Sequence, residues 1–344
     1  MRICSREKKM KKIGIIYGGR STEHDASLKS KENFLTNLDS DDFEIVDLIF
    51  IDRNGSIYLN NKLVSFGGLI DYMKKRSDIS YLNLLHGQEG EDGSWCGIFD
   101  ICDIAGTFES VNTSSILMNK YQQSLLVSNT FSNLVIPKSY LINDSNKHKL
   151  LEMLVEIKTE YIIVKPNSMG ASHFAQKLNK KSFKNINNLI NQILIYDNEA
   201  IIQEFIEGEE YTCGVIDYKG TIMALPIIHV KSKFDFLDHV SKHKTGNTIC
   251  DFNFFKQKLE LEKLSIELFK FFNVIGMCRF DFIITGDDKI YYLEGNLIPG
   301  FSNESAFPMM LKEEKISLTD FTKSLFSAYE KRKKRNKYLP YDID

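Results

Sequence analysis

The alternation of apolar and polar positions starts with "KKIGIIYGGRSTEHDASLKSKENFLTNL", which reads as a short apolar strand, a glycine turn, a polar loop and a helix. "FEIVDLIFID" and "YLNLLHG" repeat the buried-strand pattern, so the first part of the chain predicts a parallel sheet with helices on its faces. A second unit starts near Asn119. In it "YIIVKP" and "AIIQEFI" read as strands around a helix with Phe183, Ile186, Ile190 and Ile193 on one face. A third unit, from about Gly208, holds the strand "CGVIDY" and a helix with Leu261, Leu264, Leu268 and Phe272 at apolar spacing. The hairpin "CRFDFIITGDDKIYYLEGN" follows. The predicted class is α/β in four segments: a disordered leader (1–12), an N-terminal domain (13–118), a central subdomain (119–207) and a C-terminal subdomain (208–344).

Composition narrows the function classes. The chain has 344 residues, 43% of them hydrophobic, enough for two or three domains, and a net charge of -2 gives nucleic acid no electrostatic footing. No apolar run approaches the length of a membrane span, so no membrane partner is expected. The basic start "MRICSREKKMKK" leads too quickly into glycine for a signal peptide, and Met10 is a second candidate start. Cysteines 4, 96, 102, 213, 250 and 278 form no CxxC pair, which fits reduced, buried thiols in a cytoplasmic protein better than a zinc site.

The chemistry concentrates in a few stretches. In the hairpin, a turn centred on Asp287 and Asp288 places Asp281 opposite Glu294. Asn296 falls on the same face, because Glu294 and Asn296 flank Gly295. Three oxygen donors on neighbouring strands suit Mg²⁺, which takes few protein oxygens and completes its shell with water and phosphate. Arg279, two residues before Asp281, adds the cation that a phosphoryl-transfer site needs. The plain alternative is an exposed hairpin face with acids for solubility. In "IIVKPNSMGAS", Lys165 precedes a small-residue loop with Gly170 and Ser172 that could clamp phosphates through its N–H groups, or could be a surface turn. "YGGRSTEHDASL" and "LLHGQEGEDGSW" are glycine-flanked loops after apolar strands, where small ligands bind in parallel sheets. There Glu23, Asp25 and His86 could hold a substrate ammonium or carboxylate. Asp25 could equally cap a helix, and His86 could be a structural histidine in a turn.

Taken in order, "GGRSTEHDASL", "LHGQEGEDGSWCGIFD", "MNK", "VKPNSMGAS", "RFDF" and "EGNLIPGFSNES" resemble the D-alanine–D-alanine ligase family of the ATP-grasp superfamily, over essentially residues 13 to 330. The resemblance implies a three-domain ATP-grasp fold, α+β in its ATP-binding part, with a pre-ATP-grasp domain in front. It also implies an enzyme joining two D-alanines for peptidoglycan through an acyl phosphate, with ATP and two Mg²⁺ ions (Mn²⁺ as a possible substitute). Asp281, Glu294 and Asn296 would carry the metals. Lys120, Lys165 and Lys242 match the ATP-phosphate lysines, with Ser172 in the phosphate loop. Gln203, Glu204 and Ile206 match the adenine-facing linker, although Gln203 stands where an acid is usual, and Glu210 matches the ribose acid. Arg279 and the Gly300 N–H match the groups that stabilise the tetrahedral intermediate. His86 matches a histidine near the first substrate's carboxylate, and Ser305 a hydroxyl for the second. A cytoplasmic homodimer is implied by the same resemblance.

Three further positions depart from the pattern. Asp25 takes the place of the glutamate that meets the first ammonium, Ala171 that of a serine, and His243 that of a tyrosine on the ω-loop, about residues 231 to 250. Alanine cannot hydrogen-bond, so the usual trio of side chains does not form. The departures leave two rivals: a related ligase with another acceptor (D-lactate or D-serine) or with another carboxylate and amine altogether, and a nucleotide-binding protein without turnover. A cationic His243 would repel an ammonium and favour a hydroxyl nucleophile; D-lactate compared with D-alanine as acceptor between about pH 6 and 9 tests this, and no D-lactate product at any pH excludes it.

Overall fold

In the computed structural model, which describes residues 10–232 and 248–331, β1 (Lys11–Gly18) lies inside a five-stranded sheet. The order is β4 (Lys62–Val64), β3 (Ile57–Leu59), β2 (Phe43–Ile51), β1 and β5 (Ser80–Asn83). β1 pairs with β2 and β5 in parallel, and the β3–β4 hairpin adds an antiparallel edge to the expected parallel sheet. The last two residues of the predicted leader are part of this sheet: Lys11 donates its N–H to Asp42 O at 2.9 Å and Lys12 pairs with Glu44. Most of the ω-loop, with Lys242 and His243, lies outside the described residues, as do residues 1–9 and 332–344.

The helix α1 (His24–Asn37) buries Ser27, Ser30, Asn33 and Phe34, so its inward face is largely polar. α2 (Phe66–Lys74) and α3 (Ser94–Cys102) cover the other side, where Trp95, Phe99, Leu69 and Tyr81 form a small core. α4 (Val111–Met118) and α5 (Lys120–Thr130) then cross to the third unit. Asn119, where the second unit was expected to start, caps α5 by accepting from Gln122 N–H at 2.8 Å. Leu117, Val127 and Leu134 all join the core of the third unit, so the chain between the two helices and the central sheet packs with the C-terminal part.

The central sheet is antiparallel, in the order β6 (Ser139–Ile142), β9 (Ala200–Glu204), β7 (Tyr161–Pro166), β8 (Gln176–Asn179). α6 (Leu150–Glu156) and α7 (Phe183–Ile193) cover one of its faces. α7 buries Ile186, Leu189, Ile190 and Ile193, while Phe183, expected on that face, is 40% exposed at the first turn.

The third sheet runs β13 (Thr248–Asp251), β12 (Ile228–Ser232), β10 (Glu209–Tyr218), β14 (Met277–Ile284), β15 (Ile290–Asn296), with β11 (Thr221–Ala224) also on β10. α8 (Lys258–Phe271) packs Leu261, Leu264 and Leu268 against it, and α9 (Ala306–Glu313) and α10 (Leu318–Glu330) complete the layer. Ile13, Phe34 and Leu82 of the N-terminal unit belong to the same core as Phe280, Phe301 and Leu325, so the first and third units share one apolar interior. Leu268 is fully buried in it, and Leu268→Ala should cost about 2–5 kcal/mol of stability in denaturant unfolding with the fold retained.

Candidate active site

The β14–β15 hairpin organises the site. Ile284 pairs with Ile290 and Phe282 with Tyr292, and that register alone would set Leu293 opposite Asp281. An irregularity after Asp281 makes Leu293 the extra residue, and Asp281 pairs with Glu294. Because side chains alternate, the bulge changes the face of everything beyond it. Tyr292 stays fully buried on the core face with Phe282, while Glu294 and Asn296 turn to the face of Arg279 and Asp281. Gly295 sits between the two donors because a Cβ there would lie 2.9 Å from the Phe280 ring. Its N–H is held by Gln123 Oε1 at 2.7 Å, so α5 supports the distorted strand.

On that face Asp281, 4% exposed, accepts from Thr212 Oγ1 at 2.6 Å and from Arg279 Nε and Nη2 at 3.0 and 2.9 Å. Asn296 Nδ2 approaches its other oxygen at 3.3 Å. Burial pulls the Arg279 pKa down, but Asp281, with Glu294 and Glu210 behind it, outweighs this and raises it, so Arg279 is a permanent cation. Lys120 Nζ stands 3.6 Å from Glu294 Oε2 and donates to Met169 O at 2.8 Å, tying the 167–172 loop to the hairpin. Two carboxylates and an amide, balanced by a lysine and an arginine, fit a hard divalent cation with open positions. Among the described residues no three His, Cys, Asp or Glu side chains cluster as ion ligands, so an acid-only metal centre is not the reading.

Two of the nucleotide candidates share one face of the central sheet. Lys165 and Gln203 alternate with Val164 and Ile202, whose side chains join the α6–α7 core, so both share the sheet face turned away from those helices. Gln203 is buried and donates to Ser139 Oγ at 2.9 Å, and Glu204 accepts from Lys138 N–H at 2.8 Å. Ile206 follows in the connection to β10, where Glu210 pairs with Ile283 and Val230, one pleat from Thr212. Ser172, with Ala171 and Phe174, takes positive φ in a tight loop after β7.

The N-terminal loops correct the sequence reading. Asp25 does not enter the site: its side chain is exposed and pairs with Arg53 Nη2 at 2.7 Å, and the cap of α1 is Glu23. Glu23 turns inward, so close to the 167–172 loop that a Cβ on Gly170 would lie 1.8 Å from its Oε2. The acid facing the Ala171 loop is therefore a glutamate. His86 is also placed differently from a ligand-facing imidazole. It is 3% exposed, donates from Nδ1 to Ile298 O at 2.9 Å, and meets Ser30 Oγ with Nε2 at 2.9 Å. Burial lowers its pKa to about 4, so it is neutral, with Nε2 as acceptor. Ser305 precedes α9 and shares a hydrogen bond with Ser302 Oγ at 2.8 Å; a Cβ on Gly300 would lie 2.9 Å from Ser305 Oγ, so the two are adjacent.

Sequence reasoning missed Glu91, hidden among the acids of "GQEGEDG". Its carboxyl accepts from Gly87 N–H at 2.5 Å and Ile298 N–H at 2.7 Å. Burial, and then the neighbouring Glu23, push its pKa up to about 8 despite those donors. Thr212 was missed as well; its signal was its place in β10 opposite Asp281.

The first and third sheets, joined by the four-stranded central one, have the architecture of an ATP-grasp ligase. It matches the VanG D-Ala:D-Ser ligase of Enterococcus faecalis at TM-score 0.78 and 23% identity, covering 93% of this chain and 100% of that one. A D-alanine–D-alanine ligase of Bacillus anthracis complexed with ATP matches at TM-score 0.72 and 23% identity, over 93% and 97%. Family models described as D-ala D-ala ligase N-terminus and C-terminus match residues 12–81 and 135–327. The chain belongs to the D-alanine–D-alanine ligase family. It is similar to the D-alanine–D-alanine ligase of Staphylococcus saprophyticus, 29% identical over 361 residues, 96% of this chain and 99% of that one. No helix among the described residues is long and apolar enough to cross a membrane.

An acid whose pKa is raised by folding stabilises the native state below its unfolded value, and that contribution is lost as pH rises towards the folded one. For Glu91 the window runs from the ordinary 4.5 to about 8. Thermal midpoints measured across it should fall with rising pH, and Glu91→Gln should flatten that part of the slope.

Proposed function

We propose that this chain is an ATP-dependent ligase that joins two D-alanines for peptidoglycan synthesis. The observation that carries this reading is the bulged hairpin, which sets Asp281, Glu294 and Asn296 on one face with Arg279 among them and Lys120 at their edge. Such a cluster suits transfer of a phosphoryl group, where the protein's part is positioning and neutralising charge. The γ-phosphoryl of ATP passes to the first D-alanine's carboxylate, giving an acyl phosphate. The amine of the second attacks that carbonyl, and the C–O bond to phosphate breaks as the peptide bond forms.

Within this reading Lys120 and Lys165, with the N–H groups around Ser172, bind the phosphates. Gln203, Glu204 and Ile206 border the adenine, and Glu210 meets the ribose. Glu23, in place of Asp25, receives the first ammonium. Arg279, its guanidinium held by both oxygens of Asp281, opposes the oxyanion together with the Gly300 N–H. Ser305, beside Gly300, takes the second carboxylate. Asp281, Glu294 and Asn296 would hold Mg²⁺, which when bound neutralises phosphate charge. Assembly as a homodimer and a cytoplasmic location belong to the same proposal.

Phosphate release from ATP and Mg²⁺ should depend saturably on D-alanine, with the dipeptide as product. Release that depends on another acid or amine, or on none, overturns the assignment. D-serine and D-lactate offered as second substrates identify an acceptor other than D-alanine. Glu294→Gln should lower turnover by about a hundredfold or more with little change in thermal midpoint.

A further inference from the structure

The strand β15 runs at Asn296 into the segment "NLIPGFS", in which Ile298 and Phe301 are held from the N-terminal unit. The Ile298 N–H donates to Glu91 Oε1 at 2.7 Å, and the Ile298 carbonyl accepts from His86 Nδ1 at 2.9 Å. Three residues on, the Phe301 N–H donates to Ser30 Oγ at 3.1 Å and the Phe301 carbonyl accepts from Asn33 Nδ2 at 2.6 Å. Both main-chain groups of both residues are thus saturated by side chains from another unit. Between them stand Pro299, which has no N–H, and Gly300. The Gly300 N–H is the one donor left in that interval, and it finds no acceptor among the described residues.

The four gripping side chains form a layer of their own. Ser30, Asn33 and Phe34 lie at i, i+3 and i+4 on α1, which puts them on one helix face. Phe34 packs on Phe301 with ring centroids 5.1 Å apart, and Phe307 and Phe321 close round the same ring at 5.3 and 5.8 Å. Ser30 Oγ also meets His86 Nε2, so helix and loop brace each other. Ser30 is fully buried and Asn33 and His86 nearly so. A helix gains nothing from burying serine and asparagine there unless their polar groups are used.

We infer that Ser30, Asn33, His86 and Glu91 are positioning residues that fix Ile298 and Phe301, the residues bracketing Pro299–Gly300, so that the Gly300 N–H is preorganised towards the acyl carbonyl during the second half of the reaction. This rests on the ligase reading above. It gives the polar face of α1 a task and makes His86 a brace on the backbone. An N–H held in place beforehand stabilises developing negative charge without reorganising when the reaction occurs. The first step, phosphoryl transfer to a carboxylate, develops no oxyanion at this carbon and should not need the clamp.

Two substitutions away from the reacting groups test this, Ser30→Ala and Asn33→Leu, each removing one grip on Phe301. Amide hydrogen exchange across residues 298–301 should rise about tenfold in each, the equivalent of one lost hydrogen bond, with protection of β10 and β14 unchanged. Dipeptide formation should fall about tenfold or more in kcat, with KM for ATP within about twofold. Scrambling of the β,γ-bridging oxygen in labelled ATP with the first substrate alone, which reports phosphoryl transfer only, should persist near the wild-type rate. Unchanged exchange at 298–301 overturns the clamp whatever the activity. Faster exchange with wild-type ligation overturns its role in the reaction, and so does equal loss of scrambling and ligation. Failure of the ligase reading shows itself separately, as a wild-type chain with no D-alanine-dependent phosphate release.

Discussion

One irregularity in one hairpin governs the chemistry of this chain. A β-strand has a period of two, so a residue's face is decided by parity, and a single extra residue reverses the parity of everything after it. Tyr292 needs the core face, where it packs with Phe282 at a ring-centroid distance of 6.0 Å. Glu294 and Asn296, two and four residues further on, would follow it inward in a regular strand. The bulge at Leu293 sends them outward to Asp281 and Arg279, and Gln123 holds the N–H of Gly295. An acid and an aromatic of the same parity thereby serve opposite faces of one sheet.

Charge in the cleft is arranged around that hairpin. Asp281 is nearly buried, and an isolated carboxylate there would be costly. Arg279 and Thr212 supply the compensating donors, and Lys120 does the same for Glu294. This pairing of acids with cations suits a site that binds a polyphosphate and then builds negative charge on a carbonyl. Glu91 stands apart: removed from much of the solvent although only half-buried, and then crowded by Glu23, it has its pKa pushed up to about 8. It borders the Ile298 peptide, outside the hairpin cluster, so its charge state bears on how the first and third units meet.

That junction is unusually polar. The two units share an apolar core through Phe34, Phe301 and Phe321, yet the chain segment carrying Gly300 is held by hydrogen bonds from Ser30, Asn33, His86 and Glu91. Apolar packing is non-directional and fixes how closely two layers approach. Hydrogen bonds to both the N–H and the carbonyl of a residue fix its backbone orientation to within a narrow angle. A site that depends on where one N–H points needs the second kind of contact.

Much of this was legible from residue order. Periodicity located the strands β1, β2, β5, β7, β9, β10, β14 and β15 and the helices α1, α7 and α8; the short edge strands and the remaining helices carry too little periodic signal to be read from it. The oxygen chemistry of Asp281, Glu294 and Asn296 pointed to the hairpin, but the turn closes between Thr285 and Lys289 rather than on Asp287 and Asp288, and only the bulge at Leu293 restores the expected pairing of Asp281 with Glu294. Residue order could not decide which of Glu23 and Asp25 faces the cleft: the two lie two apart on a loop running into a helix, and only the packing of Gly170 and Arg53 against them separates their directions. Nor could it show that His86 faces Ile298, 212 positions away, or that the serine and asparagine of α1 reach Phe301. Such contacts are set by how three sheets close on one another, and a side chain's task is known only when its partners from distant parts of the chain are in place.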